Sequence, residues 1–217
     1  MKNIFSLTLV FTLFTTFTIL GQPLDKGNFL LGSTVGFSTS DSKVTKTEDG
    51  VEVPANGPTA LQVSVAPNVG YFVFDNFALG LGFDYTFSSV EQPDLDKTDD
   101  SDLLFGPFLR YYIPFENDMA FFIVTDFGFG KSSDNQLIAG ENRSIDNNVF
   151  AIGVGPGITI FSNNGIGLEA LFKYNYARSN FETEIGGIRT SSKTTTSQFD
   201  VSVGFQFYFG GMKRIGG

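Results

Sequence analysis

The chain has 217 residues, with 23 acidic side chains against 14 basic ones, a net charge of −9, and no Cys, His or Trp. Without Cys there is no disulfide framework and no thiolate metal site, and without His the commonest general base and metal ligand is missing. An acidic chain lacking a basic stripe offers phosphates little to hold, so nucleic acid is not an expected partner.

Residues 1–21 read as a secretory signal. Lys2 supplies a charged start, Ile4–Leu20 an apolar run, and Gly21 a small residue at the cleavage point before Gln22-Pro23. Residues 22–217 are then one domain, in which no later stretch is apolar for a helix length. This domain alternates instead. A first strand is predicted over Gly27–Thr39, with Phe29, Leu31, Val35 and Phe37 on one face. After a polar segment, Ser40–Ala60, come two runs joined at Asp75-Asn76, a pair suited to a tight turn. In Leu61–Phe74 the residues Leu61, Val63, Val65, Val69 and Tyr71 share a face; in Phe77–Ser89 the residues Phe77, Leu79, Leu81, Phe83, Tyr85 and Phe87 do. Val90–Asp102 is polar again. Further strands are predicted over Leu103–Phe115, Met119–Lys131, Asn148–Phe161, Ile166–Asn180 and Gln198–Phe209, with polar loops at Ser132–Asn147 and Phe181–Gln198.

Period two means β-strand, because successive side chains leave opposite faces. Here the bulky set is apolar and the opposite set is small or polar, too thin to fill a soluble core. That is the pattern of a strand with lipid outside and a polar lumen inside. Strands of this length suit a tilted crossing of the hydrocarbon layer, and lipid requires them to close into a ring. Eight strands with connections alternating long and short predict an all-β, eight-stranded antiparallel up-and-down transmembrane β-barrel. Its short turns and both termini would be periplasmic and its long loops extracellular. A soluble barrel of lipocalin type would have to expose the Phe-rich face and bury the charged one.

The signal, the eight alternating strands, the loop asymmetry and the terminal aromatic run FQFYF at 205–209 resemble the small outer-membrane barrels of the OmpX/OmpA-like type. The resemblance covers nearly all of residues 22–217. It implies a bacterial outer-membrane protein with no cofactor, a monomer embedded in outer-membrane lipid and lipopolysaccharide. Its four long loops would meet a surface protein or host ligand. The chain departs from the type by running past Phe209 with GGMKRIGG, and no wall-anchoring domain is expected. Enzymes among small barrels, including lipid A palmitoyltransferases and deacylases, the outer-membrane phospholipase and the omptin proteases, use an active-site His. This chain has none, so no catalytic residue is expected. The alternative function is a narrow porin-like channel for small solutes or ions.

Two constellations carry charge. Asp84, Arg110, Asp126, Glu169, Lys173 and Asp200 take inward positions, where they are expected to pair across the lumen and plug it. The segment EQPDLDKTDDSD holds Asp94, Asp96, Asp99 and Asp100. That density of oxygen ligands suits Ca²⁺ or Mg²⁺, but it lacks the ordered spacing of a calcium loop, and a solvated acidic loop is the simpler reading. Gly153, Gly155 and Gly157 lie at period two inside a strand and form no phosphate loop.

Overall fold

The computed structural model describes residues 23–210 apart from 49–50, 91–97, 117, 139–140, 163–164 and 186–187. The expected signal, residues 1–21, lies outside the described residues. The described chain is all β: β1 Asn28–Glu48, β2 Val51–Phe74, β3 Phe77–Val90, β4 Thr98–Glu116, β5 Met119–Ile138, β6 Glu141–Phe161, β7 Ile166–Ile185 and β8 Ile188–Gly210. Each strand pairs antiparallel with the next, and β8 returns to β1 from Asn28↔Gly210 to Glu48↔Thr190. The ring is closed, so no strand edge is left open in hydrocarbon.

Alternation sorts the side chains as period two requires. On β2 Leu61 and Val69 outside are 64% and 45% exposed, whereas Phe72 inside is 0% exposed, as is Tyr112 on β4. Phe74 shares the parity of Phe72 but lies past a shift in register and is 64% exposed. Leu30, Phe72, Ala78, Ala120, Phe122 and Tyr208 fill the lumen toward the short turns. That end is sealed by residues 23–27. Leu24 joins the buried cluster, its carbonyl accepts from the Asn76 amide (2.8 Å), and the Lys26 amide donates to Asp75 Oδ1 (2.8 Å). Asn76 holds the β2–β3 turn with φ of 66°, a left-handed conformation that Asn tolerates.

Three prolines interrupt the ladder at one recurring place. Pro67, Pro107 and Pro156 stand on β2, β4 and β6, each still in register with the preceding strand (Ser33, Leu81 and Ile123). On the following strand the pairing skips: from Val65↔Tyr85 to Asn68↔Gly82, from Phe105↔Phe129 to Phe108↔Asp126, and from Val154↔Tyr174 to Gly157↔Leu171. Proline has no N–H to donate, so the ladder opens on the side where that donor is missing. Gly106 and Gly155 precede two of these prolines, and a Cβ there would strike the carbonyl oxygens of Phe127 and Phe172. Glycine lets the neighbouring backbone close over the gap.

The polar segments expected as loops are mostly strand. β1 and β2 continue through 40–48 and 51–60, β4 begins at Thr98, β5 and β6 fill most of 132–147, and β7 and β8 run to Ile185 and from Ile188. Beyond the hydrocarbon both faces can be polar, so the alternation fades while the backbone ladder goes on. The Thr, Ser and Val content of these segments suits it. Pairing does not extend equally far around the rim. It stops at Ala60↔Val90 between β2 and β3, at Ser101↔Ser133 between β4 and β5, and at Asn148↔Asn180 between β6 and β7. Above those points β2–β1–β8–β7 form a four-stranded sheet and β5–β6 a separate hairpin.

Candidate functional site

Two charged layers cross the lumen. In the layer nearer the short turns, Arg110 on β4 reaches Glu169 on β7 with Nη1 3.0 Å from Oε1 and 2.9 Å from Oε2. Three hydroxyls also converge on Glu169 Oε1: Thr159 at 2.8 Å, Tyr208 at 2.8 Å and Tyr112 at 3.5 Å. The Tyr112 hydroxyl accepts from Arg110 Nη1 at 3.1 Å and lies 3.0 Å from that of Tyr208. The guanidinium stacks over the Phe122 ring at 4.7 Å and the Phe108 ring at 5.5 Å from their centroids. The two charged side chains are only 5% and 1% exposed. Ions this deep are tolerable only when attraction and hydrogen bonds together offset desolvation, which this cage of hydroxyls and rings supplies. Arg110 Nε and both amide atoms of Gln206 nonetheless find no hydrogen-bond partner among the described residues.

The layer nearer the long hairpins is looser. Lys173 Nζ lies 2.9 Å from Asp126 Oδ2, with side chains 15% and 31% exposed. Asp84 accepts from the Thr86 hydroxyl at 2.8 Å. Asp200 accepts from Gln198 Nε2 at 2.6 Å and from Asn175 Nδ2. Gln198 also donates to Ser38 (2.9 Å), whose hydroxyl donates to Gln62 (3.2 Å), so one polar chain runs from β8 through β1 to β2. Among the described residues, Lys173 is the one base of this layer against Asp84, Asp126 and Asp200.

The six inward charges of the sequence thus fall into two groups: Arg110 with Glu169, and Lys173 and Asp126 with Asp84 and Asp200 close by. Tyr112, Tyr208 and Thr159, which complete the deep layer, were not singled out by their sequence. A signal existed: in YYIPF and FQFYF, Tyr112 and Tyr208 hold the inward parity. Of the candidate cation ligands, Asp94 and Asp96 lie outside the described residues. Asp99 and Asp100 are described only as backbone of β4. Among the described residues, no group of three or more Asp, Glu, His or Cys is arranged to hold a metal ion. The lumen holds one charge pair among buried side chains and a second, partly exposed one above it.

No protein-family model matches the chain, and no curated protein matches it. Solved structures do. The outer membrane protein OprG from Pseudomonas aeruginosa is similar at 16% identity over 87% of this chain and 99% of that one, with a TM-score of 0.53. The chain has the fold of the small outer-membrane β-barrels. The outer membrane protein AlkL, solved in DMPC bilayers, is similar at 13% identity over 88% and 94% of the two chains, TM-score 0.48. The outer membrane protease OmpT from Escherichia coli is similar at 8% over 90% and 99%, TM-score 0.46. At these identities the likeness is one of fold, and OmpT's protease activity does not travel with it. This barrel has its apolar band on the outside, and Arg110, Glu169, Lys173, Asp126, Asp84 and Asp200 within.

Proposed function

We propose that this barrel is a non-enzymatic surface protein with a plugged lumen. It would sit with short turns and termini in the periplasm and use its protruding sheet to bind a partner through strand addition. One observation carries the reading. At the rim β8 lies between β1 and β7, but among the described residues β7 pairs with nothing on its β6 side beyond Asn180, and β6 with nothing on its β7 side beyond Asn148. Phe181–Ile185, paired only to β8, and Glu141–Asn147, paired only to β5, face each other across one seam among the described residues. The opposite edge of the sheet, on β2, carries Pro54 and Pro58, residues that discourage pairing, whereas the β7 stretch carries neither Pro nor Gly. An extended segment of another protein entering the seam would gain main-chain hydrogen bonds from it. The free edge is therefore that of β7, on the side away from β8.

Shortening the β7–β8 hairpin by deleting residues 182–191 should abolish surface binding and leave heat-modifiable gel mobility intact; undiminished binding would refute the reading. A narrow channel fits the filled deep layer less well. Planar-bilayer recording is expected to give no steady conductance step.

A further inference from the structure

The outer face of the barrel carries a feature the lumen does not explain. A groove of about 390 Å³ lies across β5, β6 and β7, lined by Phe129, Asn148, Phe150, Arg178 and Asn180 together with backbone of the strands. Two cross-strand rows build it. In the lower row Phe129 pairs with Phe150 and Phe150 with Arg178, and the two rings lie 5.2 Å apart by their centroids. In the row above, Lys131 pairs with Asn148, Asn148 with Asn180, and Asn180 with Lys193. Lys131, Arg178 and Lys193 are all exposed. Each strand changes from aromatic to polar at this level: Phe129 to Lys131, Phe150 to Asn148, Tyr176 to Arg178.

The charge is out of character for the chain. The protein is acidic overall, yet Asp84, Asp126, Glu169 and Asp200 of the spanning segments all face the lumen, while on this outer patch Arg178 lines the groove and Lys131 and Lys193 stand in register beside its Asn148 and Asn180. Cations at the rim of an apolar band complement phosphates at the depth of a lipid headgroup, while stacked rings just below offer an apolar shelf to acyl chains. Neighbouring strands stand roughly 5 Å apart, so β5, β7 and β8 spread the three cations over a width that one phosphate cannot span. We infer that this groove is a binding site for a phosphorylated glycolipid of the outer leaflet. The sugar phosphates would contact Lys131, Arg178 and Lys193, the amides of Asn148 and Asn180 the sugar hydroxyls, and an acyl chain Phe129 and Phe150. The site rests on the proposed orientation of the barrel, with the long hairpins outside.

The test is native mass spectrometry of the detergent-folded full barrel with diphosphoryl lipid A, monophosphoryl lipid A and phosphatidylglycerol as separate probes, each with and without excess inorganic phosphate. Expected is retention of diphosphoryl lipid A at least ten-fold above phosphatidylglycerol, an intermediate signal for the monophosphoryl form, and a ten-fold loss in the Lys131→Gln/Arg178→Gln/Lys193→Gln variant. Gel mobility of that variant should be unchanged, since the three side chains lie outside the barrel wall. Equal retention by variant and parent overturns the site. Equal retention of phosphatidylglycerol overturns the glycolipid assignment, and full displacement by inorganic phosphate overturns the role of the aromatic shelf. Because binding in detergent does not depend on orientation, protease accessibility of the hairpins in intact cells tests the orientation separately.

Discussion

The two charged layers of the lumen differ in how they hold an ion. Arg110 and Glu169 sit in a closed cage of Tyr112, Tyr208, Thr159 and two Phe rings, nearly without exposure. Lys173 and Asp126 pair at the same 2.9 Å but keep 15% and 31% of their side chains exposed. Distance alone would rate them equal. Burial separates them: the deep pair is almost without exposure and depends on its partner and its cage, whereas the upper pair keeps part of its contact with solvent.

That contrast is open to direct attack. Glu169→Leu should be the most damaging change, because it strands the Arg110 guanidinium. A loss of about 3–5 kcal/mol is expected in denaturant titrations read by gel mobility, and the double variant Glu169→Leu/Arg110→Met should recover most of it. Recovery failing to appear would mean the ions do more than balance each other. Tyr208→Phe, which removes one hydroxyl from Glu169 and keeps the ring, should cost about 1.5–3 kcal/mol by the same measurement. Lys173→Met in the upper layer should cost about 1 kcal/mol or less. Were Lys173→Met to match Glu169→Leu, the distinction between the layers would be lost.

Much of the barrel is legible in the sequence because lipid imposes a strict rule on it. Period-two alternation assigns the residues of LQVSVAPNVGYFVF before Phe74, and those of FALGLGFDYTFSS, to lipid or lumen, and the same alternation in the fourth, fifth and seventh strands gives Arg110, Asp126, Glu169 and Lys173 their inward parity. The rim escapes this reading. In KVTKTE and FETEI polar residues fall on both parities, so no alternation tells strand from loop. The outer groove escapes it too, since Lys131, Asn148, Arg178 and Lys193 lie far apart in the chain.

The sequence by itself determined which side of the wall each residue occupies, since that choice is local: lipid accepts one chemistry and a narrow lumen another. Tertiary structure alone decided which inward ions meet, where the ladder opens at Pro67, Pro107 and Pro156, and which edge of the rim stays unpaired. Those outcomes depend on the stagger between neighbouring strands, and stagger is a property of the closed ring rather than of any one strand.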